Sequence, residues 1–163
     1  MDYGIIDLNI VPVRKKNNAK SEMINQLFFG ESITIIKTKE KWSLIISNID
    51  NYQGWIRNLH FKSIKESDYK ILAKTNSIFS KYEIIIKNDI SKITIPTGSL
   101  LSSINFLNYS YVDDNESKSL QETIQSFINS PYLWGGKTKY GVDCSGLVQS
   151  IFKTLNILSL IHI

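Results

Sequence analysis

"PYLWGGKTKYGVDCSGLVQSIFK", residues 131–153, holds the only cysteine of the chain, Cys144, at the point where a glycine-rich loop turns into a helix. Gly135, Gly136 and Gly141 break any regular period in the first half of the stretch. Leu147, Val148, Ile151, Phe152 and Leu155 then recur at helical spacing and predict an amphipathic helix with these residues as its buried face. Asp143 stands where an N-cap belongs, which puts Cys144 in the first turn. The unpaired N–H groups and partial positive charge of a helix start favour a thiolate. Asp143 would oppose that unless its carboxylate points elsewhere. A lone cysteine is commonly a small buried apolar residue. Against that, Asp143, Ser145 and Gly146 at a loop-to-helix junction are unusual company for a core position, and small residues there let another backbone approach. Inert core thiol and nucleophile are both open on these grounds.

"GGKT", residues 135–138, invites comparison with a phosphate-binding loop. That motif needs a glycine five residues before Gly136, where Pro131 stands, and must lead straight from a strand into a helix. Both conditions fail, so the glycines read as a loop beside a cleft.

Upstream, Ser119 and Glu122 have capping-box spacing, with Leu120, Ile124, Phe127 and Ile128 on one face, so a helix is expected to end near residues 129–131. Before that the period is that of strands. "SITIIK" alternates with Ile33 and Ile35 on one face, and "WSLIIS" is read with Trp42, Leu44 and Ile46 on another. Gly30 and Gly54 supply breaks. Strands this short and closely spaced predict a small closed or nearly closed β-barrel over residues 4–64, with Trp42 and Trp55 in its packing. "ESDYK" (66–70) reads as a connector. "YKILAKT", "YEIIIK" and "SKITIPTGSLLSSI" read as strands of a second β unit over 69–112, followed by a helical unit over 115–163.

The 163 residues are 42% hydrophobic and 21% charged, an ordinary globular composition that argues against disorder. One cysteine excludes an internal disulfide, and with only His60 and His162 beside it soft ligands are too few for structural zinc; no metal and no cofactor are expected. The net charge of +4 could suit an anionic partner, but the lysines are scattered among acids and asparagines and form no stripe, so nucleic acid is not the expected partner. "MDYGIIDLNIVPVRKK" has no basic leader, and no apolar run approaches a membrane span. The expected location is therefore the cytoplasm, or the periplasm or cell wall if the true start lies upstream.

The P-Y-x-W-G-G stretch followed by D-C-S-G at a helix start resembles the active-site segment of the NlpC family of bacterial cell wall cysteine peptidases. "SEMINQLFFGE" (21–31) and "YQGWI" (52–56) are similar to the bacterial SH3-like module that precedes this domain in many members. The resemblance implies one or two small SH3-like barrels followed by the helical part of a papain-like domain. It also implies hydrolysis of short peptidoglycan peptides, commonly after γ-linked D-glutamate and before diaminopimelate or lysine, through an acyl-enzyme on Cys144. Tyr132, Asp143 and Ser145 match positions that line the family's substrate pocket. Trp134 either packs beside that pocket, anchoring the loop, or touches substrate. In members with the SH3-like module, that module helps recognise the free N-terminal amine of the peptide. Glu22 and Tyr52 are the candidates here, since a carboxylate and a phenol suit an ammonium, although a surface glutamate and a barrel aromatic need no ligand.

The family's general base is a histidine on a sheet packed against the nucleophile helix. His162 sits in the short apolar tail "LSLIHI", and His60 belongs to the first β unit; neither has the placement a base needs. The tail resembles translated library adapter, so an incomplete gene product is expected, without hydrolase activity, its two helices leaving their apolar faces uncovered and the C-terminal part loose. The rival reading is a noncatalytic SH3-like module that binds wall peptides.

Overall fold

The computed structural model describes residues 2–112 and 119–157. Strands β1 (Asp2–Ile5), β2 (Ile10–Arg14), β3 (Met23–Phe28), β4 (Ser32–Lys39), β5 (Trp42–Ser47), β6 (Gln53–Arg57) and β7 (Lys62–Ile64) form one antiparallel sheet in the order β3-β2-β6-β5-β4-β1-β7. Ile6, Val11, Val13, Leu27, Ile33, Ile35, Ile45 and Ile56 meet in a single buried cluster. Residues from both halves of the sheet share that cluster, so the sheet must curl around it. It does not close into the expected barrel, because β3 and β7 stand at its two ends without pairing to each other. The C-terminal segment covers β3 instead: Gly135, at φ +73°, comes so close that a Cβ there would lie 2.9 Å from the Met23 carbonyl oxygen. A covered edge strand needs no strand partner to be protected from solvent and from foreign strands.

Ile33 and Ile35 are buried on one face as the alternation predicts. In β5 the phase is the opposite of the reading: Ile45 is fully buried, flanked by Ser43 and Ser47, while Leu44 and Ile46 are only half-buried. A bulge between Ile35 and Lys37 shifts the β4–β5 register, and the adjacent pair Ile45–Ile46 offers an apolar residue to either phase. Trp42 is buried beneath the Arg57 guanidinium, 5.1 Å from the ring centroid, and Trp55 is half-buried.

The connector and strand expected at 66–75 are a helix, α1 (Glu66–Lys74). Tyr69 and Leu72, three apart, share its inner face: Tyr69 stacks on Tyr3 with centroids 4.0 Å apart, and Leu72 packs on a second core. That core combines Ile5 of the first sheet and Phe29 of the turn after β3 with Ile84, Ile86, Ile95, Ile104, Leu107 and Tyr109. It is built on a three-stranded sheet, β8 (Ile84–Lys87), β9 (Lys92–Ile95) and β10 (Ser110–Tyr111), in the order β10-β8-β9. The two β regions are thus joined through shared side chains, each large one contributing about 1.5–3 kcal/mol by its burial.

Helix α2 (Leu120–Gln125) starts with the capping box read from Ser119 and Glu122. It is shorter than expected, giving way to turns that end at Asn129 with φ +65°. A small hairpin, β11 (Lys137–Thr138) with β12 (Gly141–Val142), leads into α3 (Cys144–Thr154). Here the structure reverses the expected packing. The face of α3 turned inward carries Gly146, Ser150, Lys153 and Thr154, whereas Leu147, Val148 and Leu155 are exposed. Of the stripe read on α2, only Phe127, just past its end, is buried; Leu120, Ile124 and Ile128 are exposed.

The inward face of α3 is held by charge. Glu31 Oε1 accepts from Lys153 Nζ at 2.6 Å, both side chains at most 2% exposed, and the ammonium lies between the Phe28 and Phe79 rings, 5.3 and 5.6 Å from their centroids. Ser150 Oγ donates to the Lys137 carbonyl at 2.7 Å. The Lys153–Glu31 pair ties α3 to the first β region, and the Ser150 bond ties α3 to the hairpin that precedes it. Among the described residues, no helix is long and apolar enough to cross a membrane.

Candidate active site

The D-C-S-G turn is shaped by Asp143. Its side chain caps α3, Oδ1 accepting from Gly146 N at 2.6 Å and from Ser145 Oγ at 2.9 Å, while Oδ2 accepts from Gly135 N at 2.8 Å. The carboxylate is therefore occupied on the loop side of the turn. A Cβ on Gly146 would run into the Gly136 carbonyl oxygen, so only glycine lets the helix start lie this close to the loop. Cys144, at the first position of α3, is left exposed, which excludes the buried core thiol.

A cleft of about 420 Å³ opens over the thiol. Its C-terminal wall is Tyr132, Trp134, Asp143, Cys144 and Ser145; its opposite wall is Lys15, Glu22, Ile24 and Tyr52 from the curled sheet. All seven residues singled out in the sequence, from Glu22 and Tyr52 to Ser145, thus line one cleft. Trp134 is 59% exposed and does not serve as a buried loop anchor. Sequence reasoning missed Lys15 and Ile24. Lys15 lies opposite Glu22 where the β2–β3 hairpin continues, its N–H donating to the Glu22 carbonyl at 3.0 Å, and its Nζ donates to Glu22 Oε2 at 3.0 Å. Alternation of two facing strands could have found it.

The two walls are fixed to each other by a buried cluster that the sequence did not disclose. Asp50 Oδ2 accepts from Lys137 Nζ at 3.2 Å and from Asn25 Nδ2 at 3.1 Å, and Asp50 Oδ1 accepts from Tyr52 N at 3.1 Å. Gln26 Oε1 accepts from Lys137 N at 2.8 Å. Lys137, read as part of a failed phosphate loop, is instead the link between the glycine loop and the strand turn that presents Tyr52. Burial pushes the Asp50 carboxyl up, but Lys137, Lys153 and hydrogen bonds from Ser47 and Asn25 outweigh it and lower its pKa to about 2. Burial and the neighbouring Lys153 push Lys137 down against the pull of Asp50 and Glu31. With two carboxylates set among two ammoniums, the ionised pair is the state the geometry supports.

A larger cavity of about 640 Å³, between Asp2, Tyr3, Ile35, Phe61 and Ser63, lies apart from Cys144 and shares no lining residue with its cleft. His60, in the single 3-10 turn after β6, does not line the cysteine cleft; burial and then Arg57 lower its pKa. His162 lies outside the described residues, as does the rest of "LSLIHI". Among the described residues no group of three His, Cys, Asp or Glu side chains could hold a metal.

Residues 13–60 match the bacterial dipeptidyl-peptidase SH3 domain, and residues 129–161 match the NlpC/P60 family. A stretch similar to a bacterial SH3 domain is thus followed by one similar to the NlpC/P60 family. The NlpC/P60 match spans the glycine loop, the N-capped turn and the cysteine helix, and the SH3 match spans the sheet residues across the cleft. Two curated proteins named γ-D-glutamyl-L-lysine dipeptidyl-peptidase are similar to it. The Bacillus subtilis protein is 24% identical, with 78% of this chain and 52% of that protein covered; the Bacillus cereus protein is 20% identical, with 82% and 51% covered. The chain thus spans about half the length of the curated relatives it matches. Two crystal or solved structures share the fold. An NlpC/P60 family protein from Bacillus cereus superposes with a TM-score of 0.65 at 14% identity, covering 93% of this chain and 72% of its own. An NlpC/P60 endopeptidase from Photobacterium damselae subsp. piscicida gives 0.66 at 21%, covering 95% and 43%.

Proposed function

We propose that the cleft is the nucleophile half of a cysteine peptidase acting on short peptidoglycan peptides, at the bond between γ-linked D-glutamate and the following lysine or diaminopimelate. The observation that carries this reading is the exposed Cys144 at the capped start of α3, inside a cleft whose other wall bears a carboxylate and a phenol. The names of the two curated relatives point to the same bond. In this reading Cys144 Sγ attacks the γ-carbonyl carbon, the bond to the diamino acid nitrogen breaks, and a thioester to the glutamyl residue remains until water releases it. Glu22 and Tyr52 receive the free N-terminal ammonium of the peptide, and Tyr132, Trp134 and Ser145 flank the scissile region. Asp143 positions the turn through its three hydrogen bonds. The family resemblance assigns the proton-accepting step to a histidine.

A second reading, a noncatalytic binder of wall peptides, is favoured by one observation: among the described residues, no histidine lines the cleft. One experiment separates the two. L-Ala-γ-D-Glu-L-Lys is incubated with the protein extended by the histidine-bearing sheet that the family resemblance implies, and with Cys144→Ala of that protein, and released lysine is measured. The peptidase reading expects release by the first and none by the second. Equal release by both refutes Cys144 as nucleophile; peptide binding with no release by either selects the binder.

A further inference from the structure

The cleft contains its own ion pair. Lys15 Nζ and Glu22 Oε2 are 3.0 Å apart on the sheet wall facing Cys144, with side chains 63% and 42% exposed. The same two residues also line a second cavity of about 340 Å³, whose other lining residues are Lys16, Asn18, Lys20 and Ser21. The pair thus stands between the cleft and a trough bearing three lysines and one glutamate. The trough has a fixed rim: Ser21 Oγ accepts from Lys16 N at 2.9 Å, Asn18 Oδ1 accepts from Lys20 N at 2.9 Å, and Arg14 Nη1 donates to the Ser21 carbonyl at 2.9 Å.

An ammonium already occupies the carboxylate that the proposed function assigns to a peptide amine. A ligand amine that takes Glu22 must displace Lys15, and so exposed a pair yields readily to a competing ion. Displacement leaves the Lys15 ammonium unpaired between the thiol cleft and a lysine-lined trough. A second charge on the ligand, of negative sign, restores the balance. A site that holds one negative and one positive group in contact is complementary to a ligand that carries both.

We propose that Lys15 is a specificity-determining residue that binds a free carboxylate on the same ligand whose amine binds Glu22, so that the cleft selects peptides with a free α-carboxylate over their α-amides. The proposal rests on the peptide-cleft reading above and adds to it the ligand's anionic group. In a γ-linked glutamyl peptide that group is the α-carboxylate, which is not consumed in forming the peptide bond and lies beside the scissile carbonyl chain.

The test is calorimetric titration of the full chain with alanyl-glutamate capped as its γ-methylamide, so that the α-carboxylate is the one anionic group, with the α-amide of that compound, and with its N-acetylated form, comparing the unaltered protein with K15M and K15R. One charge-assisted hydrogen bond predicts that the free acid binds about tenfold more tightly than the amide. K15M should bind both equally while still rejecting the N-acetylated form, and K15R should keep the preference. An acid-to-amide ratio that is the same in K15M as in the unaltered protein overturns the role of Lys15 and leaves the peptide-cleft reading standing. No binding of any of the three ligands to the unaltered protein overturns that reading and this proposal with it.

Discussion

Two lysine–glutamate pairs connect or face the same cleft, and they behave as different chemistry. Lys153–Glu31, at the seam between α3 and the sheet, is at most 2% exposed and enclosed by Phe28 and Phe79. Lys15–Glu22, at the mouth, has side chains 63% and 42% exposed. Both charges of the seam pair are out of water, so neither can lose its partner cheaply. At the mouth, water and ligand ions can replace either partner. The seam therefore holds the two walls in register, and the mouth is free to exchange one ion for another.

The largest expected effect breaks the seam. Glu31→Ala leaves a buried ammonium alone and should cost about 3–5 kcal/mol of stability, read from urea unfolding. The double variant Glu31→Leu with Lys153→Met, which removes both charges, should recover most of that loss. An equal loss in single and double variants would mean that packing, and not charge pairing, holds α3.

Next in size is the pH response of the Asp50–Lys137 link. The folded-state pKa of Asp50 lies below its ordinary value of 3.8, at about 2, so the folded chain holds this proton less tightly than the unfolded chain. The stability it contributes is present in full above pH 3.8 and is lost as pH falls toward 2; the depression corresponds to about 2 kcal/mol. Asp50→Asn should flatten the unfolding free energy across that window. A curve as steep as that of the unaltered protein would assign the acid sensitivity to other groups.

The contrast between seam and mouth also explains what the sequence could disclose. Cys144, Asp143 and the capping box at Ser119–Glu122 are local: each needs only neighbours three residues away, and each is where the pattern put it. The buried face of α3 is not local. Its apolar stripe, Leu147, Val148 and Leu155, is the stronger periodic signal, yet the inward face is set by Lys153, whose partner lies 122 residues earlier. No pattern within the helix marks a lysine for burial. "YKILAKT" failed for a related reason: a short apolar run fits strand or helix, and the choice is decided by Tyr3, on which Tyr69 stacks. In β5, the bulge in β4 decided which of two adjacent isoleucines faces the core. The members of the cleft were legible one by one, by resemblance to a family pattern. That Lys15 stands among them needed the facing strand.

The smallest expected effect is at the mouth. Lys15→Met should change stability by less than about 1 kcal/mol, since an exposed pair contributes little to folding. A loss as large as that of Glu31→Ala would erase the distinction between the two pairs.

The central claim is that sheet and cysteine helix form one ligand site. Its most direct test is the rate at which iodoacetamide alkylates Cys144, the only thiol, measured by mass spectrometry with increasing alanyl-γ-glutamate, in the unaltered protein and in Glu22→Gln. The account predicts that the dipeptide slows alkylation and that Glu22→Gln needs about tenfold more of it for the same protection, the loss of one charge-assisted contact. Equal protection of the two proteins at every concentration would contradict it, leaving the sheet wall outside the site.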